Sequence, residues 1–160
     1  SHDVLRNLRL GDEREYFGGR GGGIGQGVAG ALGVAVARPD RLVVAISGDG
    51  SAMYSIQALW TAAHSRLNIL FVILSNREYR VLKHNIDQYR RRFNNPANKP
   101  YPQMDLTKPT LGFAELAAGM GVPSRQVSDA AGIAAAVKQA MATDGPFLLD
   151  LVVEGLETRS

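Results

Sequence analysis

Two apolar runs, each ending in a polar turn, restrict the fold of this chain more than any other feature. Residues 42–46 lead directly into the turn Ser47–Ser51 (SGDGS), and residues 69–74 lead into the turn Ser75–Tyr79 (SNREY). The residues between them predict a helix. A strand–helix–strand unit of this kind gives parallel strands, so the two turns should lie side by side at one edge of a sheet.

The two turns carry oxygen atoms of the kind that a hard cation binds. Asp49 offers a carboxylate and Asn76 an amide carbonyl, and ligands of open α/β sheets bind at the carboxyl ends of the strands. The N–H groups of Gly50 and Ser51 begin the next helix, where an anion is stabilised. The pattern therefore fits a divalent cation together with a diphosphate. Considered alone, Asp49 could equally be an ordinary helix N-cap.

A glycine-rich stretch precedes the first run and allows a second interpretation. Residues 18–30 contain glycine at positions 18, 19, 21, 22, 23, 25, 27 and 30. Gly25–Gly30 (GQGVAG) formally matches the GxGxxG pattern of a dinucleotide-binding domain in an oxidoreductase. That pattern requires a buried strand immediately before it, whereas residues 12–17 (DEREYF) are mostly charged. Under either interpretation, Gly30 and Gly33 predict close packing of the following helix, residues 28–36, on the sheet.

These motifs together resemble the C-terminal diphosphate-binding domain of thiamine diphosphate-dependent enzymes, most closely the benzoylformate decarboxylase and acetolactate synthase group. The resemblance rests on Gly48–Gly50 (GDG), 24 residues, and then Ser75-Asn76. It extends to Gly22–Gly25 (GGIG) and to residues 54–63 (YSIQALWTAA). Ser75 departs from the family pattern, which usually has a first Asn there. The resemblance implies an α/β fold of three layers, αβα, around a mainly parallel central sheet.

The resemblance also implies a set of site residues. Asp49, Asn76 and the backbone carbonyl of Glu78 would bind Mg²⁺, which in turn holds the diphosphate. The carbonyl of Gly22 would accept a hydrogen bond from the pyrimidine amino group, and Ile24 would hold the cofactor bent. The cofactor-binding set is Gly22, Gly23, Ile24, Asp49, Gly50, Ser51, Asn76, Glu78 and Tyr79.

The activity that the resemblance implies is decarboxylation of a 2-oxo acid or ligation of its product to a second carbonyl compound, such as an aldehyde. The glutamate that activates the pyrimidine ring belongs to a different domain in this family, so no catalytic residue is assigned here. Residues 1–15 are expected to form an irregular arm, and residues 16–157 the domain, as a fragment of a larger chain. The expected partners are a pyrimidine-binding domain of the same or a neighbouring subunit and further copies in a homodimer or homotetramer. The chain alone should be inactive.

Composition limits the location of the protein and the kinds of partner that it can have. The sequence contains no cysteine and has a net charge of +3, and no apolar run approaches the roughly 20 residues that span a bilayer. The sequence shows no charged-then-apolar leader, so a cytoplasmic location with no membrane partner is expected. The basic residues of the predicted helix 79–92 form either a solvated face or a surface that attracts anions. No nucleic-acid module is recognisable, so no such partner is expected.

The other predicted elements follow from periodicity and turn signals. One is a helix over residues 53–66 with a core stripe of Ile56, Leu59, Trp60 and Ala63, and with His64 exposed. The chain then predicts a proline-containing loop over residues 94–109 and a short helix over residues 111–120. It ends with strands over residues 122–127 and 147–153 and an intervening helix, residues 130–142, capped by Asp129.

Overall fold

Four parallel strands form the centre of the structure. This computed structural model describes residues 6–7, 11, 15–18, 21, 23–95 and 101–155. The strands are β1 (Val43–Gly48), β2 (Ile69–Ser75), β3 (Ser124–Val127) and β4 (Phe147–Val152). They lie in the order β1-β2-β4-β3, and each neighbouring pair is parallel. The predicted α/β class with a parallel sheet is therefore confirmed.

Six helices connect or flank these strands in the described part of the chain. They are α1 (Gln26–Ala37), α2 (Asp49–Ala52), α3 (Ala58–His64), α4 (Arg80–Arg92), α5 (Phe113–Gly119) and α6 (Ala130–Met141). Asp129 caps α6 as predicted, because its Oδ1 accepts the Gly132 N–H at 2.7 Å. No helix within the described ranges is long and apolar enough to cross a membrane.

One face of the sheet carries the larger part of the core. Apolar side chains from α1, α3 and α5 pack there on alternate residues of the strands. Phe71 in the centre of β2, Leu59 of α3 and Phe113 of α5 are all fully buried. Burying side chains of this size contributes about 1.5–3 kcal/mol each, so this face supplies much of the stability of the fold.

The opposite face is covered over only part of its width. Helix α6 packs on β3 and β4 around Phe147 and Leu149. On the same face of β1, Val44 is 51% exposed and Ile46 is 42% exposed. The prediction that residues 42–46 are buried on both faces is therefore wrong, because β1 is an edge strand of the described sheet and α6 packs at the other side.

The helix predicted over residues 53–66 begins later than expected. After the short α2, residues 53–57 form turns, and α3 begins at Ala58. The later start turns Ala58, Leu59 and Ala62 into the core, so Trp60 is 57% exposed and not part of a core stripe as predicted. Trp60 instead stacks on His64, which is exposed as expected, with ring centroids 4.9 Å apart.

Two predictions near the N-terminus also need correction. A Cβ added at Gly30 or Gly33 would meet no atom within 4 Å, so these glycines do not serve close packing of α1. They lie on its exposed side. Of the arm over residues 1–15, the structure describes residues 6, 7, 11 and 15, and Arg6 and Asn7 are helical, not irregular. The domain limits stay predictions.

Candidate functional site

The turns after β1 and β2 are joined by one buried carboxylate. Oδ1 of Asp49 accepts the N–H of Gly50 at 2.8 Å, and Oδ2 accepts the N–H of Arg77 at 2.7 Å. Parallel pairing of β1 with β2 brings the two turns to the same edge, as the sequence predicted. Asp49 is the first residue of α2 and does not act as its N-cap, a position that Gly48 occupies.

Asn76 lies in the second turn with its side chain folded over the backbone. Its Oδ1 accepts the N–H of Glu78 at 3.1 Å. An amide oxygen has two lone pairs, so it can accept this hydrogen bond and still bind a cation. The Glu78 carboxylate points elsewhere, because its Oε2 lies 2.7 Å from Nζ of Lys83. Only the backbone of Glu78 is therefore suited to the metal role that the sequence assigned to it.

The direction of the Glu78 backbone follows from a short antiparallel bridge between Glu78 and Asp105. The N–H of Tyr79 donates to the Met104 carbonyl, and the N–H of Leu106 donates to the Arg77 carbonyl, each at 2.8 Å. These hydrogen bonds flank Glu78 and Asp105, which face each other as a non-hydrogen-bonded pair. In such a pair the backbone N–H and C=O of each residue point away from the partner strand, so those of Glu78 face away from Asp105. The Glu78 carbonyl consequently lies on the side of its own N–H, which contacts Asn76.

The edge of the sheet is rich in buried negative charge. In the part of the chain that the structure describes, three carboxylates (Asp49, Glu78 and Asp150) are buried against one buried cation, Lys83. Burial raises the pKa of Asp49, although the N–H groups of Gly50 and Arg77 oppose this, and the charge of Asp150 raises it further. A cation bound here would relieve this repulsion and offset the cost of burying the carboxylates.

Asp150 is a site residue that sequence reasoning missed. It accepts hydrogen bonds from Oγ of Ser75 at 2.5 Å and from Nε2 of Gln126 at 2.7 Å. The signal was available: Asp150 is the one charged residue in the otherwise apolar strand β4 (FLLDLV). Ser75, which departs from the family pattern, thus has a defined partner in the neighbouring strand.

Ser51 attaches the glycine-rich stretch to the first turn. Its Oγ accepts the N–H of Gly25 at 3.0 Å, and Oγ of Ser55 donates to the Gly25 carbonyl at 2.6 Å. Gly25 has φ of 84°, and a Cβ there would lie 2.7 Å from Cβ of Tyr54. Both facts require glycine. Gly25 and Ser55 were not among the predicted site residues.

Ile24 lies next to this attachment and is 60% exposed. It is therefore not a core residue of α1, and its side chain is accessible beside the candidate site. Gly23 is also exposed, whereas Gly22, predicted to contact the pyrimidine ring, lies outside the described residues. The cofactor roles of these three residues stay predictions.

Tyr79 packs directly on Gly50. A Cβ at Gly50 would lie 2.5 Å from Cε1 of Tyr79, so the glycine allows the ring to approach the first turn. The Gly50 N–H is used by Asp49 in this structure, and α2 has only four residues. The N–H groups at the start of α2 therefore form a less open anion site than the sequence suggested.

The donor set matches a hard cation that takes few ligands from protein. Among the described residues, no group of three or more His, Asp or Glu side chains could hold a metal ion. The set offered at the edge is one carboxylate (Asp49), one amide oxygen (Asn76) and one backbone carbonyl (Glu78). Mg²⁺ typically binds one or two carboxylates and completes its shell with phosphate oxygens and water, so the residues fit Mg²⁺ with a diphosphate.

The fold is that of a parallel α/β domain, a class in which ligands bind at the carboxyl ends of the strands, where the candidate site lies. Residues 2–151 match the family described as "Thiamine pyrophosphate enzyme, C-terminal TPP binding domain". The chain belongs to this family, which confirms the resemblance read from the sequence. The strand that the dinucleotide-binding alternative requires before Gly25 is not seen in the described residues there, which are 15–18, 21, 23 and 24.

The similar proteins include a benzoylformate decarboxylase and an acetolactate synthase, the two kinds of enzyme that the sequence resembles. Benzoylformate decarboxylase of Pseudomonas aeruginosa is 34% identical over 153 residues, which are 95% of this chain and 27% of that protein. A protein of Mycobacterium tuberculosis, provisionally named acetolactate synthase large subunit IlvX, is 40% identical over 136 residues. These residues are 85% of this chain and 26% of that protein.

Solved structures agree with the sequence comparison. The thiamine diphosphate-dependent 4-hydroxybenzoylformate decarboxylase of Rhodococcus jostii RHA1 superimposes with a TM-score of 0.72 and 34% identity. The match covers 84% of this chain and 24% of that one. The chain thus spans about a quarter of the length of the relatives it matches.

Proposed function

We propose that this chain binds the diphosphate of thiamine diphosphate through Mg²⁺, as part of a 2-oxo-acid decarboxylase or carboligase similar to benzoylformate decarboxylase. The observation that carries the proposal is the position of Asp49, whose carboxylate joins the two strand-end turns beside Asn76. Asp49, the amide oxygen of Asn76 and the backbone carbonyl of Glu78 are the proposed protein ligands of Mg²⁺.

The residues of this chain bind and orient the cofactor. When bound, thiamine diphosphate supplies an electron sink for breaking a carbon–carbon bond beside a carbonyl group. Gly22 is proposed to accept a hydrogen bond from the pyrimidine amino group, and exposed Ile24 to support the bend between the two rings. Gly23, Gly50, Ser51 and Tyr79 complete the proposed wall of the site, because Ser51 holds Gly25 of the glycine-rich stretch and Tyr79 packs on Gly50 of the first turn.

The proposed substrate is a 2-oxo acid, with an aldehyde as second substrate or product. Because the chain spans about a quarter of its relatives, we propose that a pyrimidine-binding domain of the same or a neighbouring subunit supplies the activating glutamate. The full-length protein would then be a homodimer or homotetramer, and the isolated chain would not turn over substrate. A cytoplasmic location belongs to the same proposal, and the lack of cysteine is compatible with a reducing compartment.

Calorimetric titration with thiamine diphosphate tests this proposal. Wild type, Asp49→Ala and the control Asp144→Ala, which removes an exposed carboxylate after α6, are each titrated with Mg²⁺ and again with chelator. We expect Mg²⁺-dependent binding that Asp49→Ala abolishes and Asp144→Ala leaves unchanged, because Asp49 is the one carboxylate ligand. If the isolated chain binds nothing, the same titration is made on the full-length protein, which holds the other half of the site.

Two results would contradict the proposal. Tight binding of NAD that is indifferent to Mg²⁺ would favour the dinucleotide interpretation of Gly25–Gly30. Binding of thiamine diphosphate that survives both chelator and Asp49→Ala would remove the metal role of Asp49. Separately, substantial turnover of a 2-oxo acid by the isolated chain would show that no further domain is needed.

A further inference from the structure

Lys83 is a buried lysine that the proposed function leaves without a role. Its side chain is only 1% exposed, and Nζ lies 2.7 Å from Oε2 of Glu78 and 2.7 Å from Oδ1 of Asp105. The sequence placed Lys83 on a basic surface of helix 79–92, which is wrong because the two carboxylates draw it inward. Burial lowers the pKa of Lys83, but hydrogen bonds to Asp105 and Glu78 outweigh this, so the pKa lies above its ordinary value.

The two carboxylates belong to different segments. Glu78 lies in the metal turn, residues 76–79, and Asp105 lies in what we call the covering segment, residues 101–106. Two backbone hydrogen bonds, Tyr79 to Met104 and Leu106 to Arg77, join these segments. A ladder of two hydrogen bonds is not stable in water by itself, so side-chain contacts are needed to hold the covering segment in place.

Helix α4 supplies these contacts from one of its faces. Lys83, Asp87 and Arg90 are spaced i, i+4 and i+7, so they point to the same side of the helix. Oδ1 of Asp87 accepts a hydrogen bond from the Tyr101 hydroxyl at 2.5 Å. Cζ of Arg90 lies 5.0 Å from the centroid of the Tyr101 ring. Lys83 is the only one of the three that also binds the metal turn.

We propose that Lys83 is a positioning residue that locks the covering segment onto the metal turn and thereby fixes the direction of the Glu78 carbonyl at the cation site. The inference rests on the proposed function, since it needs that carbonyl to be a ligand. Mg²⁺ requires near-octahedral geometry, so a turn that can rotate binds it more weakly. Losing a group that orients a metal ligand typically costs about 10- to 100-fold in metal affinity.

The test compares charge-removing and remote variants in the full-length protein. Lys83→Met keeps an unbranched side chain one atom shorter than lysine and removes its charge. Asp105→Asn weakens the Lys83–Asp105 contact from a side chain that is 48% exposed and more tolerant of change. Lys138→Met removes an exposed lysine on α6, and Ala136→Gly destabilises α6, which packs on β3 and β4. Together these controls separate local loosening from loss of charge or of stability in general.

Two measurements are made on each variant. The first is hydrogen exchange, without metal or cofactor, of peptides covering residues 76–82 and 101–107. The second is Mg²⁺ affinity in the presence of thiamine diphosphate. We expect Lys83→Met and Asp105→Asn to speed exchange in both peptides. Lys83→Met should weaken Mg²⁺ binding by about 10- to 100-fold, and Asp105→Asn should weaken it in the same direction by less. Lys138→Met and Ala136→Gly should change neither.

The outcomes separate this inference from the function it rests on. Wild-type exchange rates and Mg²⁺ affinity in Lys83→Met, or in Asp105→Asn if Lys83→Met does not fold, would overturn the positioning role. Equal weakening of Mg²⁺ binding by Ala136→Gly would overturn it too, because the effect would then reflect stability alone. A wild type that binds no Mg²⁺ would overturn the proposed function and the role of Lys83 at the cation site, while the exchange rates would still decide whether Lys83 holds the covering segment.

Discussion

The interior of the sheet and its carboxyl edge are built from different residues. Between the helices, the buried side chains of the described residues are apolar, with Phe71, Phe147 and Leu149 at the centre. Six buried polar or charged residues are found in the same part of the chain, and all lie toward the carboxyl edge or in the segments that follow it. They are Ser47, Asp49, Ser75, Glu78, Lys83 and Asp150.

The buried charges at the carboxyl edge stabilise the fold less than the apolar side chains of the interior do. Apolar burial stabilises the folded state roughly in proportion to area, whereas burying a charged group is unfavourable unless it is paired and hydrogen-bonded. At the edge each buried charge has partners, but negative charges outnumber positive ones. The composition of the interior follows from stability alone, while the excess of buried carboxylates at the edge is what the proposed cation would compensate.

The largest effect is expected from a substitution that creates a cavity in the interior and leaves the residues of the carboxyl edge unchanged. Phe71→Ala should lower the free energy of unfolding by about 3–5 kcal/mol, since it removes a fully buried ring and leaves a cavity. Urea unfolding measures this loss, and Phe17→Ala, which truncates an exposed ring, should stay within about 0.5 kcal/mol of wild type. Any molecules of Phe71→Ala that stay folded should bind thiamine diphosphate normally. A large loss of affinity in them would show that interior and edge are not separable.

A smaller effect is expected where the edge meets the glycine-rich stretch. Gly25→Ala should lower the free energy of unfolding by about 1–3 kcal/mol, because alanine is strained at φ of 84° and its Cβ would collide with Tyr54. Gly30→Ala is the matched control: it lies in α1 with open space around it and should stabilise by about 0.5–1 kcal/mol. Thermal unfolding measures both. Equal signs for the two substitutions would contradict the assigned conformation of Gly25.

The smallest effect concerns the exposed border of the edge. The hydrogen bond to Asp87 raises the pKa of the Tyr101 hydroxyl, with burial and the charge of Asp87 acting in the same direction. Because the folded-state pKa is raised, the contribution to stability is present below the ordinary tyrosine pKa of about 10 and is lost as the pH rises through the folded value. Ultraviolet titration of tyrosinate, with Tyr101→Phe subtracted, should show this pKa falling in Asp87→Asn. An unchanged pKa in Asp87→Asn would remove Asp87 as its cause.

The fold was largely predictable because three of the four described strands, β1, β2 and β4, are mainly apolar runs, and polar turns follow β1 and β2. The runs at residues 42–46, 69–74 and 147–153 correspond to β1, β2 and β4 within two residues at each end. The helix start at residue 53 failed because apolar periodicity continues through Ile56, while the backbone forms turns until Ala58. Periodicity reports which residues can be buried, and it is insensitive to a local change of direction.

The candidate site was predictable only where the ligand groups follow the strands directly. Asp49 and Asn76 could be placed because parallel strands bring their turns together. The roles of Lys83 and Asp150 could not, since Asp105 lies 22 residues from Lys83, and Ser75 and Gln126 lie 75 and 24 residues from Asp150. A lysine in a basic helix also looks like a surface residue. Gly25 is one of eight glycines in residues 18–30, and nothing in the sequence separates it from the others. Its contacts with Tyr54 and Ser51, which only the structure shows, distinguish it.

The strand order carries a consequence for the synthesis of the protein. Strand β4 is made after β3 yet lies between β2 and β3. Until residues 147–152 leave the ribosome, β2 presents an unpaired edge and β3 lacks the one strand with which it pairs in the described sheet. The unpaired edge of an apolar strand such as β2 is prone to wrong pairing. Asp150 arrives with β4, so the polar edge is completed only at the moment when the sheet itself closes. A nascent chain stalled before Phe147 would therefore hold neither a finished core nor a finished site.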